Sequence, residues 1–173
     1  MPRISLAVAA AVALSTSAAT LVANDAKATY GKTIAEVAGV LDEFHDAATR
    51  SDEEAYFALI APGGVFLGTD ATERWEKEAF RAFAHPHFSQ GKGWTFVPRA
   101  RHIGLADAGR IAWFDELLDS ATYGECRGTG VLEKVFGHWR ILQYHLTIPV
   151  PNALAKEVVA RIREAAAATK PAP

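Results

Sequence analysis

The chain has 173 residues, of which 50% are hydrophobic and 10% aromatic, and its formal net charge is −2. This length fits one globular domain with a core of ordinary size. Charges of both signs are interspersed without a basic patch, which argues against a nucleic-acid partner. No apolar run reaches the roughly 18 residues of a membrane-spanning helix. Cys126 is the only cysteine, so no disulfide can form within the chain, and such a residue is usually packed in the core.

The first residues have the layout of a secretory signal peptide. Arg3 supplies a positive charge, residues 4–14 form a short apolar segment, and residues 15–19 are small enough for a cleavage site. An alanine-rich helix is the alternative interpretation. From the signal-peptide layout we expect a periplasmic or secreted protein. Its predicted organisation is a signal peptide at 1–19, a flexible lead-in at 20–32, one domain at 33–168 and a tail at 169–173.

Helical spacing and turn residues predict the elements of the first half. These are a helix from Thr33 to about Arg50, a second helix capped by Ser51 or Asp52 and ended by Ala61-Pro62-Gly63-Gly64, a short strand at 65–67 and a third helix at about 73–88. The first helix starts with a capping-box pattern, because Glu36 follows Thr33 by three residues.

The second half predicts strands. They are a long strand at 94–105, three consecutive strands within 111–149 joined by turns at 119–124 and 136–138, and a last helix capped by Asn152. Helices followed by a run of strands indicate an α+β fold, in which the helices pack on one face of an antiparallel sheet and a further helix ends the chain.

Several stretches in this order resemble the nuclear transport factor 2-like superfamily and, within it, the SnoaL-like domain group. They are VLDEFHDAATRSDEEAYFALI at 40–60, VFLGTDATERW at 65–75, AWFDELL at 112–118, CRGTGVL at 126–132 and WRILQYHLT at 139–147. The resemblance implies a ketosteroid isomerase-like cone of helices over a strongly curved sheet, often paired into a homodimer. The superfamily includes isomerases, cyclases, dehydratases and proteins that only bind or assemble, so the fold does not give the function.

The resemblance argues against the ketosteroid isomerase reaction itself. The base of that family would fall near Gly68 or Asp70, its oxyanion tyrosine at Phe44 and its protonated acid near Gly130. Phe44 and Gly130 cannot donate a side-chain hydrogen bond to an enolate, which that chemistry requires. Asp70 remains a possible base.

Alternation along the three strands predicts one wall of a pocket. The last strand presents on one face Trp139, Ile141, Gln143, His145 and Thr147. By the resemblance this face points into the cone, although the apolar residues of the opposite face favour that face as the core. We expect Asp115 on the first of these strands to look the same way, with Gly128 and Gly130 leaving room between. The glycines could instead mark a bulge.

Two groups are candidate catalytic sites. His145 and Asp115 could form an acid–base pair, because a carboxylate orients an imidazole and raises its basicity. The alternative is a hydrogen-bonded pair that stabilises the sheet. Asp70 is the second candidate base, or else a carboxylate favoured by a helix N-terminus. The predicted ligand-binding residues are Gln143, Trp113, Trp75, Tyr56, Phe83, Gly128 and Gly130.

No cofactor or metal is expected. His85 and His87 lack a third spaced ligand, and the chain has no nucleophile elbow, phosphate loop or dinucleotide fingerprint. The sequence therefore predicts an exported domain that binds a small, largely apolar molecule in a cone-shaped pocket. The alternatives are a cofactor-independent isomerase, cyclase, dehydratase or hydrolase that uses His145 and Asp115 or Asp70, and an assembly domain.

Overall fold

A computed structural model describes residues 5–106 and 109–168 of the chain, with side chains from residue 25 onwards. The helices are α1 (Ser5–Thr49), α2 (Glu53–Ala58), α3 (Lys77–Phe88) and α4 (Ala155–Ala168). The strands are β1 (Ile60–Leu67), β2 (Arg74–Glu76), β3 (Val97–Ala106), β4 (Ile111–Ser120), β5 (Gly124–Val135) and β6 (His138–Thr147). The predicted α+β fold is confirmed.

The six strands form one open sheet in the order β2-β1-β6-β5-β4-β3. The pairs from β3 to β6 are antiparallel, but β1 runs parallel to β6. The sheet is therefore mixed, because this pair is parallel whereas the pairs of the predicted strand run are antiparallel. The short turns between consecutive strands predict antiparallel hairpins. Nothing in the sequence of β1 predicts the direction of its partner β6, which lies about 80 residues further along the chain.

Three predicted boundaries also differ. Helix α1 begins at Ser5 rather than near Thr33, so residues 20–32 are helical instead of a flexible lead-in. This stretch is rich in alanine and contains no proline, which favours a continuous helix. Residues 61–64 belong to β1, and the first residues of the predicted third helix form β2. Among the described residues, no helix is both long and apolar enough to cross a membrane.

Helices α1, α2 and α3 pack on one face of the sheet, which we call the inner face. The core between them is largely aromatic: Phe44, Tyr56, Phe57, Phe80, Phe88, Phe114, Trp139 and Tyr144 are all buried. Burying each of these side chains contributes on the order of 1.5–3 kcal/mol. Asp52 caps α2 as predicted, because its carboxylate accepts a hydrogen bond from the Ala55 N–H. Cys126 is buried, and burial raises the pKa of its thiol.

A bulge in β6 decides which side chains reach the inner face. Val131 of β5 pairs with Gln143, but the next residue, Leu132, pairs with Ile141, so Leu142 is the extra residue. Before the bulge, Trp139 and Ile141 are buried; after it, Tyr144 and Leu146 are buried. The bulge therefore inverts the alternation in the middle of β6.

Candidate functional site

The predicted His145–Asp115 pair does not form, and both residues lie on the outer face of the sheet. Thr129 of β5 pairs with His145 on one side and with Asp115 on the other, so it separates them. Asp115 instead contacts His102, whose Nδ1 lies 3.1 Å from its Oδ2. Gln143 and Trp113 face outwards too, and Trp113 is 51% exposed. The prediction that these groups look into the cone is wrong, because the bulge reverses the alternation on which it depended.

Gly128 and Gly130 face inwards, opposite to the side of Asp115 and His145. A Cβ atom at Gly128 would lie 2.3 Å from the Tyr144 hydroxyl and 2.9 Å from Glu116 Oε1. A Cβ at Gly130 would lie 2.8 Å from the Phe114 ring. The glycines therefore make room for side chains of the protein and not, as predicted, for a gap between Asp115 and His145.

The interior polar site is centred on Glu116 of β4, which is fully buried. Its Oε1 lies 2.7 Å from His45 Nε2 and accepts a hydrogen bond from the Tyr144 hydroxyl at 2.9 Å. Its Oε2 accepts a hydrogen bond of 2.7 Å from Arg101 Nε. Arg101 also donates to Asp42 of α1 at 2.7 Å. A carboxylate, an imidazole, a phenol and a guanidinium therefore meet where α1 crosses the sheet.

This surrounding keeps Glu116 ionised. Burial by itself disfavours the carboxylate, but the hydrogen bond with His45 and the hydrogen bond and charge of Arg101 outweigh it, so the pKa of Glu116 is lowered. The pKa of Tyr144 is raised well above its usual value by burial and by the neighbouring charge of Glu116. Tyr144 is thus a neutral hydrogen-bond donor, and its proton is committed to Glu116.

A cavity of about 250 Å³ opens beside this cluster. Its wall, here called the aromatic wall, consists of Phe66, Phe80, Phe83, Trp94, Phe96 and Leu146. The rest of its lining is more polar and lies nearer the surface, and we call it the mouth: Thr69, His87 and Tyr123 are exposed, and Gly68 and Glu73 are half-buried. The volume lies just below the range of about 300–1,000 Å³ that is usual for ligand pockets. We call this space the aromatic cavity.

A much smaller space of about 10 Å³ lies against the aromatic cavity and is lined by Tyr56, His45 and Tyr144, among others. The two spaces share Phe66, Trp94, Phe96 and Leu146, so the smaller one adjoins the larger on its more buried side, and we call it the deep end. His45 touches this deep end while its Nε2 contacts Glu116. The polar cluster therefore borders the deep end with two of its side chains, the His45 imidazole and the Tyr144 phenol.

The other predicted residues lie around the mouth. Asp70 is exposed in the loop after β1, and hydrogen bonds from the Thr72 hydroxyl and N–H lower its pKa. It sits next to Thr69, a residue of the mouth, but does not line the cavity. Trp75 stacks on Phe83 of the aromatic wall with ring centroids 4.9 Å apart.

The sequence did carry a signal for the residues that the prediction missed. Glu116 lies on the buried side of β4 between Phe114 and Leu118, where a lone charge among apolar neighbours requires partners. His45 follows Leu41 by one helical turn on the buried side of α1. In the described part of the chain, no group of three or more His, Cys, Asp or Glu residues is placed to hold a metal ion.

Comparison with known proteins gives one family and a shared fold. The model of the SnoaL-like domain matches residues 37–151. Among curated proteins, none has a sequence that matches this chain.

The chain is similar to an NTF2-like protein of unknown function from Pseudomonas putida KT2440, with 16% identity, a TM-score of 0.58, and coverage of 68% of this chain and 87% of that one. It is similar to a putative dehydratase of the NTF2-like family from Streptomyces avermitilis, with 12% identity, a TM-score of 0.60, and coverage of 70% and 99%. A domain of unknown function with a cystatin-like fold from Nostoc punctiforme has 13% identity, a TM-score of 0.61, and coverage of 79% and 96%. At these identities the likeness concerns the fold alone.

Proposed function

The chain belongs to the SnoaL-like domain family, and from that premise we propose that it binds one small, largely apolar molecule in the aromatic cavity. The observation that carries the proposal is the cavity of about 250 Å³ between the helices and the inner face of the sheet, with an aromatic wall and a more polar mouth. Concave, mostly apolar pockets with a few convergent polar groups are typical of small-molecule sites.

A matched pair of tryptophan variants tests this proposal. Trp94 belongs to the aromatic wall, whereas Trp113 is exposed on the outer face. Small cyclic metabolites are screened by thermal shift, and the affinity of each positive compound is measured by calorimetry. We expect Trp94→Leu to weaken binding about tenfold or more, because it removes an aromatic contact surface, and Trp113→Leu to leave it unchanged. Equal affinity for both variants, or no thermal shift with any compound, would contradict the proposal.

A second candidate function is cofactor-independent acid–base catalysis by His45. The observation that favours it is the contact of His45 with both the deep end of the cavity and the buried carboxylate of Glu116. A carboxylate orients an imidazole and supports a positive charge on it, so His45 could take a proton from a bound molecule and return it. His45 also borders a surface groove formed with Asp42, Asp46 and Thr49, through which its proton can exchange with solvent.

The catalytic candidate is tested on compounds that the binding screen identifies. Each is incubated with the protein in D₂O, and NMR follows deuterium exchange at carbon, isomerisation or loss of water. We expect His45→Gln to abolish turnover while the affinity changes little, and His87→Gln at the mouth to keep turnover. Binding without any turnover by the unaltered protein would exclude this candidate and leave the binding function intact.

We further propose that the protein is exported and forms a homodimer through the outer face of its sheet. The composition of residues 1–19 supports export, and the exposed Trp113 on an uncovered sheet face supports pairing. Mass spectrometry of the purified protein would reveal removal of the leader, for which cleavage after Ala18 or Ala19 is expected. Light scattering should give the mass of two chains, and Trp113→Glu should halve it. A monomer at micromolar concentration would refute the pairing.

A further inference from the structure

One carboxylate lines the aromatic cavity, and it belongs to Glu73, the residue before β2. Glu73 is half-buried. Within the described residues its carboxylate accepts one hydrogen bond, from the Asp70 N–H to Oε2 at 3.2 Å, and pairs with no lysine or arginine. A charge that is partly withdrawn from water is unfavourable unless an opposite charge compensates it. The cavity therefore lacks a positive group beside Glu73.

The loop between β1 and β2 holds this carboxylate in place. The Gly68 N–H donates to the Glu73 carbonyl at 2.9 Å, and the Glu73 N–H donates to the Asp70 carbonyl at 3.0 Å. A Cβ atom at Gly68 would overlap Glu73 Oε2, so the missing side chain lets the carboxylate lie against the backbone. Oε1 accepts no hydrogen bond within the described chain. Glu73 thus places a fixed negative charge, with one oxygen to spare, in the lining.

Aromatic rings form the rest of the electrostatic surroundings. The lining contains five of them, contributed by Phe66, Phe80, Phe83, Trp94 and Phe96. The rings of Phe83 and Trp94 are nearly parallel to that of Phe80, with centroids 6.4 and 5.9 Å from its centroid. Among the described lining residues there is no lysine or arginine, and only His87 at the mouth can become positive. Because the face of an aromatic ring is partly negative, this lining attracts a cation and offers little to an anion.

We infer that the aromatic cavity selects an organic cation, a molecule with a ring and an alkylated ammonium group whose charge lies between Glu73 and the aromatic wall. This inference rests on the proposed binding function and names the class of its ligand. The apolar lining suits the ring and the alkyl groups, while Glu73 and the ring faces suit the charge. An alkylated ammonium is favoured over a primary one, because the wall offers few acceptors for three N–H groups that have lost their water.

The test compares 4-(hydroxymethyl)phenyltrimethylammonium with 4-tert-butylbenzyl alcohol, which has the same shape but a neutral carbon in place of the charged nitrogen. In a purely apolar cavity the neutral alcohol would bind far more tightly, because the cation must lose more of its hydration. We expect the protein to bind the cation at least as tightly as the alcohol in calorimetry. Raising the salt concentration from about 20 to about 200 mM should weaken binding of the cation alone, since salt screens its attraction to Glu73.

Three variants locate the source of this preference. Glu73→Gln keeps an acceptor for the Asp70 N–H, and the ratio of cation to alcohol affinity should fall about 3- to 10-fold, because a half-buried charge pair is lost. Phe83→Leu, at the partly exposed end of the wall, should lower the ratio about 2- to 5-fold through lost cation–π attraction. The matched control, Glu78→Gln, removes an exposed carboxylate of α3 outside the lining and should keep the ratio.

The outcomes separate this inference from the binding function. A preference for the alcohol by more than about tenfold in the unaltered protein would refute the inference and leave the binding function intact. An unchanged ratio in Glu73→Gln would refute it as well. Loss of folding in a variant would weaken both compounds alike, so the ratio distinguishes it from lost recognition of charge. If neither compound binds, the inference fails, and the wider screen with Trp94→Leu and Trp113→Leu still decides the binding function.

Discussion

Glu116→Gln replaces the buried carboxylate of the inner face by an amide of nearly the same shape. The amide oxygen can still accept a hydrogen bond from Tyr144 or His45, but the amide nitrogen then faces Arg101 Nε, and two donors confront each other. Arg101 keeps its contacts with Asp42 and with the Ala38 carbonyl, which limits the loss. The change therefore removes one charge-assisted hydrogen bond and weakens two others.

The magnitude follows from these contacts. A hydrogen bond to a charged group contributes about 1.5–3 kcal/mol and a neutral one about 1 kcal/mol. Losing one and weakening two gives a decrease of about 3 kcal/mol in the free energy of unfolding, close to the lower end for breaking a buried ion pair. We expect urea unfolding at pH 7 to show this decrease with an unchanged slope. The matched control is Glu125→Gln, whose exposed ion pair with Arg99 should contribute less than about 1 kcal/mol.

The same variant predicts a change in pH dependence. The pKa of Glu116 is lower in the folded than in the unfolded chain. Its ionisation therefore stabilises the fold at pH values above the ordinary glutamate pKa of about 4.3, and this contribution disappears as the pH falls through the lower, folded pKa. The stability difference between the original protein and Glu116→Gln should shrink below about pH 4. A stability difference under about 1 kcal/mol at pH 7, or one that does not depend on pH, would refute the description of Glu116 as an ionised carboxylate held by His45, Arg101 and Tyr144.

Three further substitutions, the first with a control in α1, probe the inner and outer faces. Gly128→Ala should destabilise the fold by about 1–3 kcal/mol, because its Cβ would lie 2.3 Å from the Tyr144 hydroxyl. The control, Gly39→Ala at an exposed position of α1, should stabilise the fold by about 0.5–1 kcal/mol. Thermal unfolding compares the two variants, and equal effects would contradict the close approach at Gly128. Tyr144→Phe removes one donor to Glu116 and should lower the urea unfolding free energy by about 1–3 kcal/mol, while a neutral result would mean that this hydroxyl is dispensable. His145→Ala should change the free energy of unfolding by no more than about 0.5 kcal/mol and leave the ligand affinity in calorimetry unchanged. A loss of binding would mean that the pocket lies on the outer face.

Alternation and spacing predict the strands well but not the face that becomes the interior. The three strands within 111–149 are present, and Asp115, Gln143 and His145 do share one face, as expected. The direction of that face was wrong because one extra residue, Leu142, interrupts the period-two pattern. A bulge depends on how two strands fit together, and β6 alone contains no glycine or proline that would mark it.

The polar cluster was missed for a related reason. Glu116 and His45 are 71 positions apart, and neither belongs to a motif with fixed spacing. Their pairing depends on the angle at which α1 crosses the sheet, which periodicity does not encode. Burial of Glu116 could have been inferred from the apolar side of β4, since Phe114 and Leu118 flank it. The partners of Glu116 could not be inferred in this way.

The parallel contact between β1 and β6 has a consequence for the order in which the chain folds. Phe66 of β1 pairs with Tyr144 of β6, so two sides of the deep end come from segments that are far apart in the sequence. During synthesis, the ribosome has released β1 long before β6 exists, and β1 then has only the short β2 as a neighbour in the sheet. Such distant contacts slow folding, because a long loop must close before they form. The aromatic cavity is therefore among the last features of the molecule to assemble.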